Sequence, residues 1–284
     1  MGIKLKAAGT SISVNMGLFI SKIFAAVLTG SIALLAETFH SLFDLVASLL
    51  AFWGIKHAEK THDDCHLYGH EKFENLSSFL QSLLIAITAI FVMKEAYSKI
   101  MDPKTIENPL LGIILMVISI PVTYFTARYL SKIAKQSGGS SALDADSAHF
   151  TTDVIASVAV LIGLFFVKMG YQIGDGLAAI AVSIGMIYIS YHLIKDCYHV
   201  FMDHSPDRCV MDSIKRELEK MDVKYHKLRA RRAGSKVLLD FHRETDGNKT
   251  VAEAHKESNK IREQMMKDLP ELKDVNIQIQ PRKN

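Results

Sequence analysis

Glu37-Thr-Phe-His40-Ser-Leu-Phe-Asp44-Leu-Val-Ala-Ser48 and, 109 residues later, Asp146-Ser-Ala-His149-Phe-Thr-Thr-Asp153-Val-Ile-Ala-Ser157 spell nearly the same phrase, each inside an apolar stretch. In both, an acid, an imidazole and a second carboxylate follow one another at spacings of three and then four, which stacks them on one face of a helix. Each helix then offers half a metal site. Brought face to face, His40, Asp44, His149 and Asp153 supply two nitrogens and two oxygens, a tetrahedral set suited to zinc or a similar borderline divalent ion. The competing reading, a pair of His-Asp hydrogen bonds that glue helices together, satisfies the same atoms without metal but does not account for the duplication.

The chain has 284 residues, 49% of them hydrophobic, and the apolar share is concentrated in the first two hundred. Apolar stretches near 9–29, 31–56, 75–100, 109–131, 146–168 and 174–200 each approach the roughly 20 residues that cross a bilayer as helix. Ionisable groups inside such segments are costly and by default mark a transport path. The predicted fold is an all-α six-helix transmembrane domain, 1–204, followed by a small α+β domain of ferredoxin-like αββαβ order, 205–284. In the tail, helical spacing runs from Asp207 to Met221, and Lys224 to Arg232 pairs with Val237 to Glu244 around a Gly234-Ser235 turn. A helix capped at Thr250 or its neighbour reaches Lys267, and Val275 to Ile279 alternates as a last strand. A domain this small commonly gains stability by pairing.

Lys4, Lys6, Lys56, Lys60, Lys72, Lys132 and Lys135 fall on one side of the expected membrane and only Lys99, Lys104 and Lys168 near the other, so both termini are expected in the cytosol. The second helix then runs inward and the fifth outward, and an antiparallel pair interleaves the four ligands. The first apolar stretch lacks a small-residue cleavage site and is expected to stay as an anchor. A net charge of +3 without aromatic interleaving does not suit nucleic acid. Cys65, Cys197 and Cys209 form no CxxC pair, no phosphate-binding GxxxxGK[ST] loop is present, and no hydrolytic or redox constellation appears. An enzyme and an organic cofactor are therefore not expected.

Other polar groups carry secondary readings. The loop Thr61-His-Asp-Asp-Cys-His-Leu-Tyr-Gly-His70 holds three histidines, two aspartates and a cysteine in ten residues, dense enough for a second metal site. Glu37 and Asp146 lie outward and inward of the quartet and serve either as stepping stones for protons or metal or as structural groups. For Glu37 the structural partner is Lys22, about as far before Gly30 as Glu37 lies after it; for Asp146 it is the start of its own helix.

With HSLFD, HFTTD, the loop motif HLYGHEKFE and a polar tail in this order, the chain resembles the cation diffusion facilitator family over nearly its whole length. The resemblance implies a homodimeric, proton-coupled divalent metal exporter in a lipid bilayer, here a cell (inner) membrane. It implies His40, Asp44, His149 and Asp153 as the transport site and Asp63, His66 and His70 as a peripheral site. In the tail it implies His226, His242 and His255 as metal-sensing histidines, and between Lys72 and Asp203 a structural charge pair. Where some members place a histidine and an aspartate in the last strand, this chain has Gln278 and Gln280, which points to a single, weaker tail site. The expected function is efflux of divalent metal, zinc foremost as both substrate and regulator, by alternating access in exchange for protons. Iron, cadmium, cobalt, nickel or manganese as main substrate, and a non-transporting metal sensor or scaffold, are the alternatives.

Overall fold

The computed structural model describes residues 2–29, 32–101, 109–168 and 174–282. They divide into two compact units, Met1–Cys197 and Tyr198–Asn284.

Long helices make up the first: α1 (Ile3–Thr29), α2 (Ile32–Ala58), α3 (Lys72–Met101), α4 (Pro109–Gln136), α5 (Ser141–Lys168) and α6 (Gly174–Phe201), whose end passes into the second unit. Each has 27 to 30 residues, about 40 Å or more at the usual helical rise. Among the described residues, α1, α3 and α6 are long and apolar enough by length and composition to cross a membrane.

The unit is turned inside out relative to a water-soluble bundle. Phe24, Val27, Phe91 and Phe125 are more than 60% exposed, whereas Ser11, Asn15, Ser48, Gln81 and Asp146 are buried. Large apolar side chains pointing outward are stable when the surroundings are apolar too. With no hydrophobic drive left between helices, small residues and hydrogen bonds hold them together. Ala7 and Ala8 of α1, Ala127 and Ala134 of α4, and Ala142 of α5 form one cluster with Ile55, Leu130, Leu143 and Phe150. Gly54 does the same for α2 and α3: a Cβ there would collide with the side chain of Ser77 and sit 3.1 Å from the Phe73 carbonyl oxygen. α5 is the hub, packing against α1, α2, α3 and α4. α6 meets α3 through Ile85, Ala89, Val182 and Met186 and through a bond from Ser190 Oγ to the Ser82 carbonyl at 2.7 Å.

Helices run past the apolar stretches at the charged end. Between the apolar stretches 109–131 and 146–168 only residues 137–140 lie outside helix, because nothing before Ser137 breaks α4 and Gly138 and Gly139 end it at φ 77° and 92°. The Gly139 N–H closes back on the Ala134 carbonyl at 3.0 Å, a glycine C-cap. Lys4 Nζ, from the start of α1, bonds that same linker at Gly139 O (3.2 Å) and pairs with Glu74 Oε1 of α3 at 2.9 Å, while Ser140 Oγ donates to Glu74 Oε2 at 2.8 Å. One buried glutamate thus ties the ends of three helices.

In the second unit α7 (Arg208–Lys220), β1 (Tyr225–Ala233), β2 (Lys236–Thr245), α8 (Val251–Asp268) and β3 (Leu272–Pro281) follow in the expected order. The sheet order is β1-β2-β3, with β2 antiparallel to β1 and parallel to β3. Ala233 pairs with Lys236 across a two-residue turn in which Gly234 has φ 61°, as hairpin twist requires. A bulge between His226 and Arg229, with Lys227 at φ 52°, adds a kink that alternation alone does not reveal. Ile214 and Leu218 of α7, Leu239 and Phe241 of β2, Met265 of α8 and Val275 of β3 form the core.

Thr250 caps α8: its hydroxyl accepts from the Glu253 N–H at 3.3 Å, and Glu253 Oε2 accepts from the Thr250 N–H at 2.9 Å. The bond from the Thr250 N–H, and then that from the Thr250 hydroxyl to the same oxygen at 2.8 Å, hold the Glu253 carboxyl below the usual range. Thr250→Ala is expected to cost about 1 kcal/mol, read as faster amide exchange in the first turn of α8, with Thr250→Ser close to wild type.

Candidate metal centre

The repeated phrases meet in the interior of the helical unit. His149 Nε2 of α5 lies 3.1 Å from Asp44 Oδ1 of α2, His40 Nε2 lies 3.9 Å from that same oxygen, and His149 Nε2 is 4.0 Å from Asp153 Oδ2. Donor atoms of His40, Asp44 and Asp153 all fall within 4.8 Å of one another, close enough for one divalent ion to bridge the three, with His149 Nε2 beside them. His149 is 1% exposed and Asp44 6%, while His40 and Asp153 are part-buried. The pairing is antiparallel: Asp44 faces His149, and four residues on, Ser48 donates to Asp146, three residues back. Two spacings that each match a helical turn, read in opposite directions, produce the convergence.

A polar lattice from α1 surrounds this centre, and α1 is the helix the repeated phrase gives no hint of. Asn15 Nδ2 donates to the Asp44 carbonyl at 3.1 Å and to Ser48 Oγ at 2.7 Å, and Ser11 Oγ and Ser48 Oγ are 2.6 Å apart. Ser48 Oγ then donates to Asp146 Oδ1 at 3.3 Å. Further along α1, Lys22 Nζ donates to Ser41 Oγ at 2.7 Å. The signal for Ser11 and Asn15 was present as two polar residues four apart in an apolar helix, but nothing in that pattern names their partner. Asp146 is fully buried, and its Oδ2, like His149 Nδ1, has no hydrogen-bond partner among the described residues. Its surroundings are those of an interior group rather than of a solvated helix start. The side chain of Glu37, the expected partner of Lys22, lies outside the described residues.

The loop before α3 forms its own cluster. Asp63 Oδ1 lies 3.1 Å from His66 Nδ1, Asp63 Oδ2 lies 3.1 Å from His70 Nε2, and the two imidazoles are 4.5 Å apart. His70 is 6% exposed, and its Nδ1 bonds the Thr61 carbonyl at 3.0 Å, leaving Nε2 directed at Asp63, as a second partner does for a ligating imidazole. The His66 N–H at 2.7 Å, then the His66 side chain and the Cys65 N–H at 3.0 Å, hold the Asp63 carboxyl below the usual carboxylate range. Among the described residues, this trio and His40-Asp44-Asp153 are the tight three-ligand groups.

In the tail, His226 and His242 are paired across β1 and β2 with rings 5.2 Å apart. His226 Nε2 bonds Gln280 Oε1 at 3.0 Å, and its Nδ1 lies 3.4 Å from Glu244 Oε1; Glu244 is a neighbour the sequence did not single out. His255 instead accepts from Asn259 along its own helix at 3.0 Å. Asp203 is paired with Arg231 at 3.0 Å within the second unit, and Lys72 opens α3 in the first.

A family model described as the cation efflux transmembrane domain matches residues 10–202, and one described as the cation efflux protein cytoplasmic domain matches residues 206–282. The chain is 31% identical over 252 residues to the cation-efflux pump FieF of Shewanella oneidensis, a match covering 88% of this chain and 84% of that protein. It is 30% identical over 247 residues to an uncharacterized transporter of Methanocaldococcus jannaschii, covering 86% of this chain and 87% of that protein. Among solved structures, the metal-bound C-terminal domain of a CzcD transporter from Thermotoga maritima matches at 33% identity and TM-score 0.26, over 28% of this chain and 98% of that one.

The loop cluster has a definite pH signature. Asp63, with its carboxyl depressed, stays charged at neutral pH and loses its charge only as pH falls through that lowered value. Zinc titration of an Asp153→Ala protein is expected to show loop binding at neutral pH that weakens in acid, since metal ligands must be deprotonated. Asp63→Asn is expected to lose the binding at neutral pH already, and His62→Ala to retain it.

Proposed function

This chain belongs to the cation efflux family of membrane metal transporters, and we propose that it moves divalent metal, zinc foremost, out of the cytosol in exchange for protons. The observation that carries the reading is the buried meeting of His149 and Asp44 at 3.1 Å with His40 and Asp153 beside them. Two imidazole nitrogens and two carboxylates suit a tetrahedral borderline cation and disfavour ions that prefer all-oxygen shells.

Proton exchange follows from the same contact. An imidazole nitrogen and a carboxylate oxygen at 3.1 Å hold a proton between them, and the lone pairs that share it are those a metal would use. Metal and proton therefore exclude one another. Open to the cytosol, the site loads metal and sheds protons; open to a more acidic exterior, it does the reverse. Asp146, buried one turn inward with a carboxylate oxygen that has no partner among the described residues, serves as the inner step for either cargo. Opposed movement of α2 and α5 supplies the alternation.

In this reading all six helices cross the bilayer, with both termini in the cytosol at an inner membrane. The tail pairs two copies of the chain, and His226, His242 and His255 form a weak regulatory site. Asp63, His66 and His70 form a peripheral site at the cytosolic mouth, and Lys72 and Asp203 a structural contact at the hinge. A metal bound in the tail biases transport only by its differential affinity for the two arrangements.

Proteoliposomes with an imposed pH gradient test the proposal. Wild-type protein is expected to drive zinc against its gradient, with flux collapsing when the pH gradient is dissipated. Asp153→Ala and His149→Ala are expected to reduce flux to background, and Asp146→Asn to slow it with the zinc affinity retained. Zinc binding without gradient-driven flux would place the chain among metal sensors instead.

A further inference from the structure

We infer that Asn15 is a positioning residue of the quartet: one amide on α1 fixes the turn of α2 that carries Asp44, and with it the ligand spacing that suits the site to a tetrahedral ion. The inference rests on the quartet being the cargo site. Asn15 is 2% exposed. Its Nδ2 donates to the Asp44 carbonyl at 3.1 Å and to Ser48 Oγ at 2.7 Å. Both acceptors lie on one turn of α2, and because a carbonyl oxygen only accepts, the atom facing it is the amide nitrogen. In a regular helix that carbonyl already receives the N–H four residues on, so Asn15 takes its second lone pair. One turn back on α1, Ser11 Oγ meets Ser48 Oγ at 2.6 Å, and the turn is gripped at its start and at its end.

The gripped turn is the one on which the ligand geometry depends. Asp44 Oδ1 stands 3.1 Å from His149 Nε2 and 3.9 Å from His40 Nε2, so this carboxylate sets the distance from α2 across to α5. At the other end of the turn Ser48 donates to Asp146 Oδ1, also of α5, at 3.3 Å. Side chains reach about 5–6 Å from a helix axis, so turning α2 by about 10° carries the Asp44 carboxylate about 1 Å, enough to undo its bond to His149. An amide nitrogen engaged as a donor is not itself a metal ligand, and Asn15 acts through Asp44, as partners behind a ligand do. Zinc takes four ligands at about 2.0–2.2 Å, whereas manganese favours an octahedral, oxygen-rich shell. A quartet held at one spacing favours zinc, and a loosened quartet loses zinc more than it loses manganese.

Asn15→Leu keeps a side chain of similar size and removes both bonds. The test is titration of the full chain in detergent with zinc, manganese and cobalt, in a His70→Ala, His226→Ala background that silences the loop and the tail. Cobalt absorbs strongly in the visible when tetrahedral and weakly when octahedral, so its spectrum reads the ligand geometry. Asn15→Leu is expected to bind zinc about tenfold more weakly, to change less in its affinity for manganese, and to lose cobalt absorption. Gln81→Leu removes another buried amide, one whose bonds go to Ser77 of its own helix and to the Ala142 carbonyl, and is expected to keep the zinc affinity and the cobalt spectrum of the parent. Asn15→Ala is the second variant should Leu yield no folded protein. An unchanged cobalt spectrum with an unchanged zinc-to-manganese ratio in the folded Asn15 variant, or the same losses in Gln81→Leu, overturns the inference and leaves Asn15 a contact between helices. A parent cobalt spectrum that survives Asp153→Ala and His149→Ala would instead remove the quartet as the cargo site, and the inference with it.

Discussion

Placing two carboxylates and two imidazoles among apolar helices is the constraint on which the helical unit is built. Desolvating such groups costs several kcal/mol each unless partners replace the lost water. The partners are supplied in layers: Ser11, Ser48 and Asp146 at one level, Asn15, Asp44 and His149 at the next, His40 and Asp153 beyond, then Ser41 and Lys22. Each layer draws on α1 or α2 and, around the quartet, on α5. The helices cannot slip by a residue against one another without leaving a charged group unpartnered, so polar chemistry sets the register of helices whose apolar surfaces alone would not.

Small residues make that arrangement possible. α5 touches four other helices, and it can do so because alanines on α1, α4 and α5 bring the backbones close. The same closeness lets a short serine reach from α2 to Asp146. α6 contributes less to this interior, and beside it α5 and α6 leave an apolar cavity of about 290 Å³ lined by Thr152, Ile155, Val182 and Met186 among others. Thr152 is the neighbour of Asp153. Among the described residues, the half of the unit that carries the ligands is bonded across helices, and the apolar cavity lies on the side against α6.

The repeat phrase made the quartet legible because its spacing states which atoms share a face, and length with hydropathy made the helices legible. The tail yielded to alternation, a glycine turn and a threonine cap, all local signals. What stayed hidden was inter-helix: Asn15 on Asp44, Ser41 under Lys22, Glu74 joining α1 to the α4-α5 linker. Each of these residues is an ordinary polar side chain whose meaning depends on what lies opposite, and one-dimensional spacing does not encode the neighbour. The short linker at 137–140 stayed hidden for a related reason, since the apolar stretches end at 131 and resume at 146 while the helices run on through polar residues to Gln136 and from Ser141.

The tail shows how the same ligand types behave where burial is not forced. His226 has its needs met by Gln280 and Glu244, and its strand partner His242 keeps one buried nitrogen, Nδ1, without a partner among the described residues. The domain is held by Phe241, Leu239, Met265 and their neighbours and by the capped α8. Any ion entering there must displace a neutral amide already bonded to an imidazole, and gains less than it would at a cluster of carboxylates. In the interior the reverse holds. There the ligands have few alternative partners among the described residues, and a cation, proton or metal, is drawn to them. One rule covers both places: the affinity of a ligand set is what remains after its competing partners have been counted.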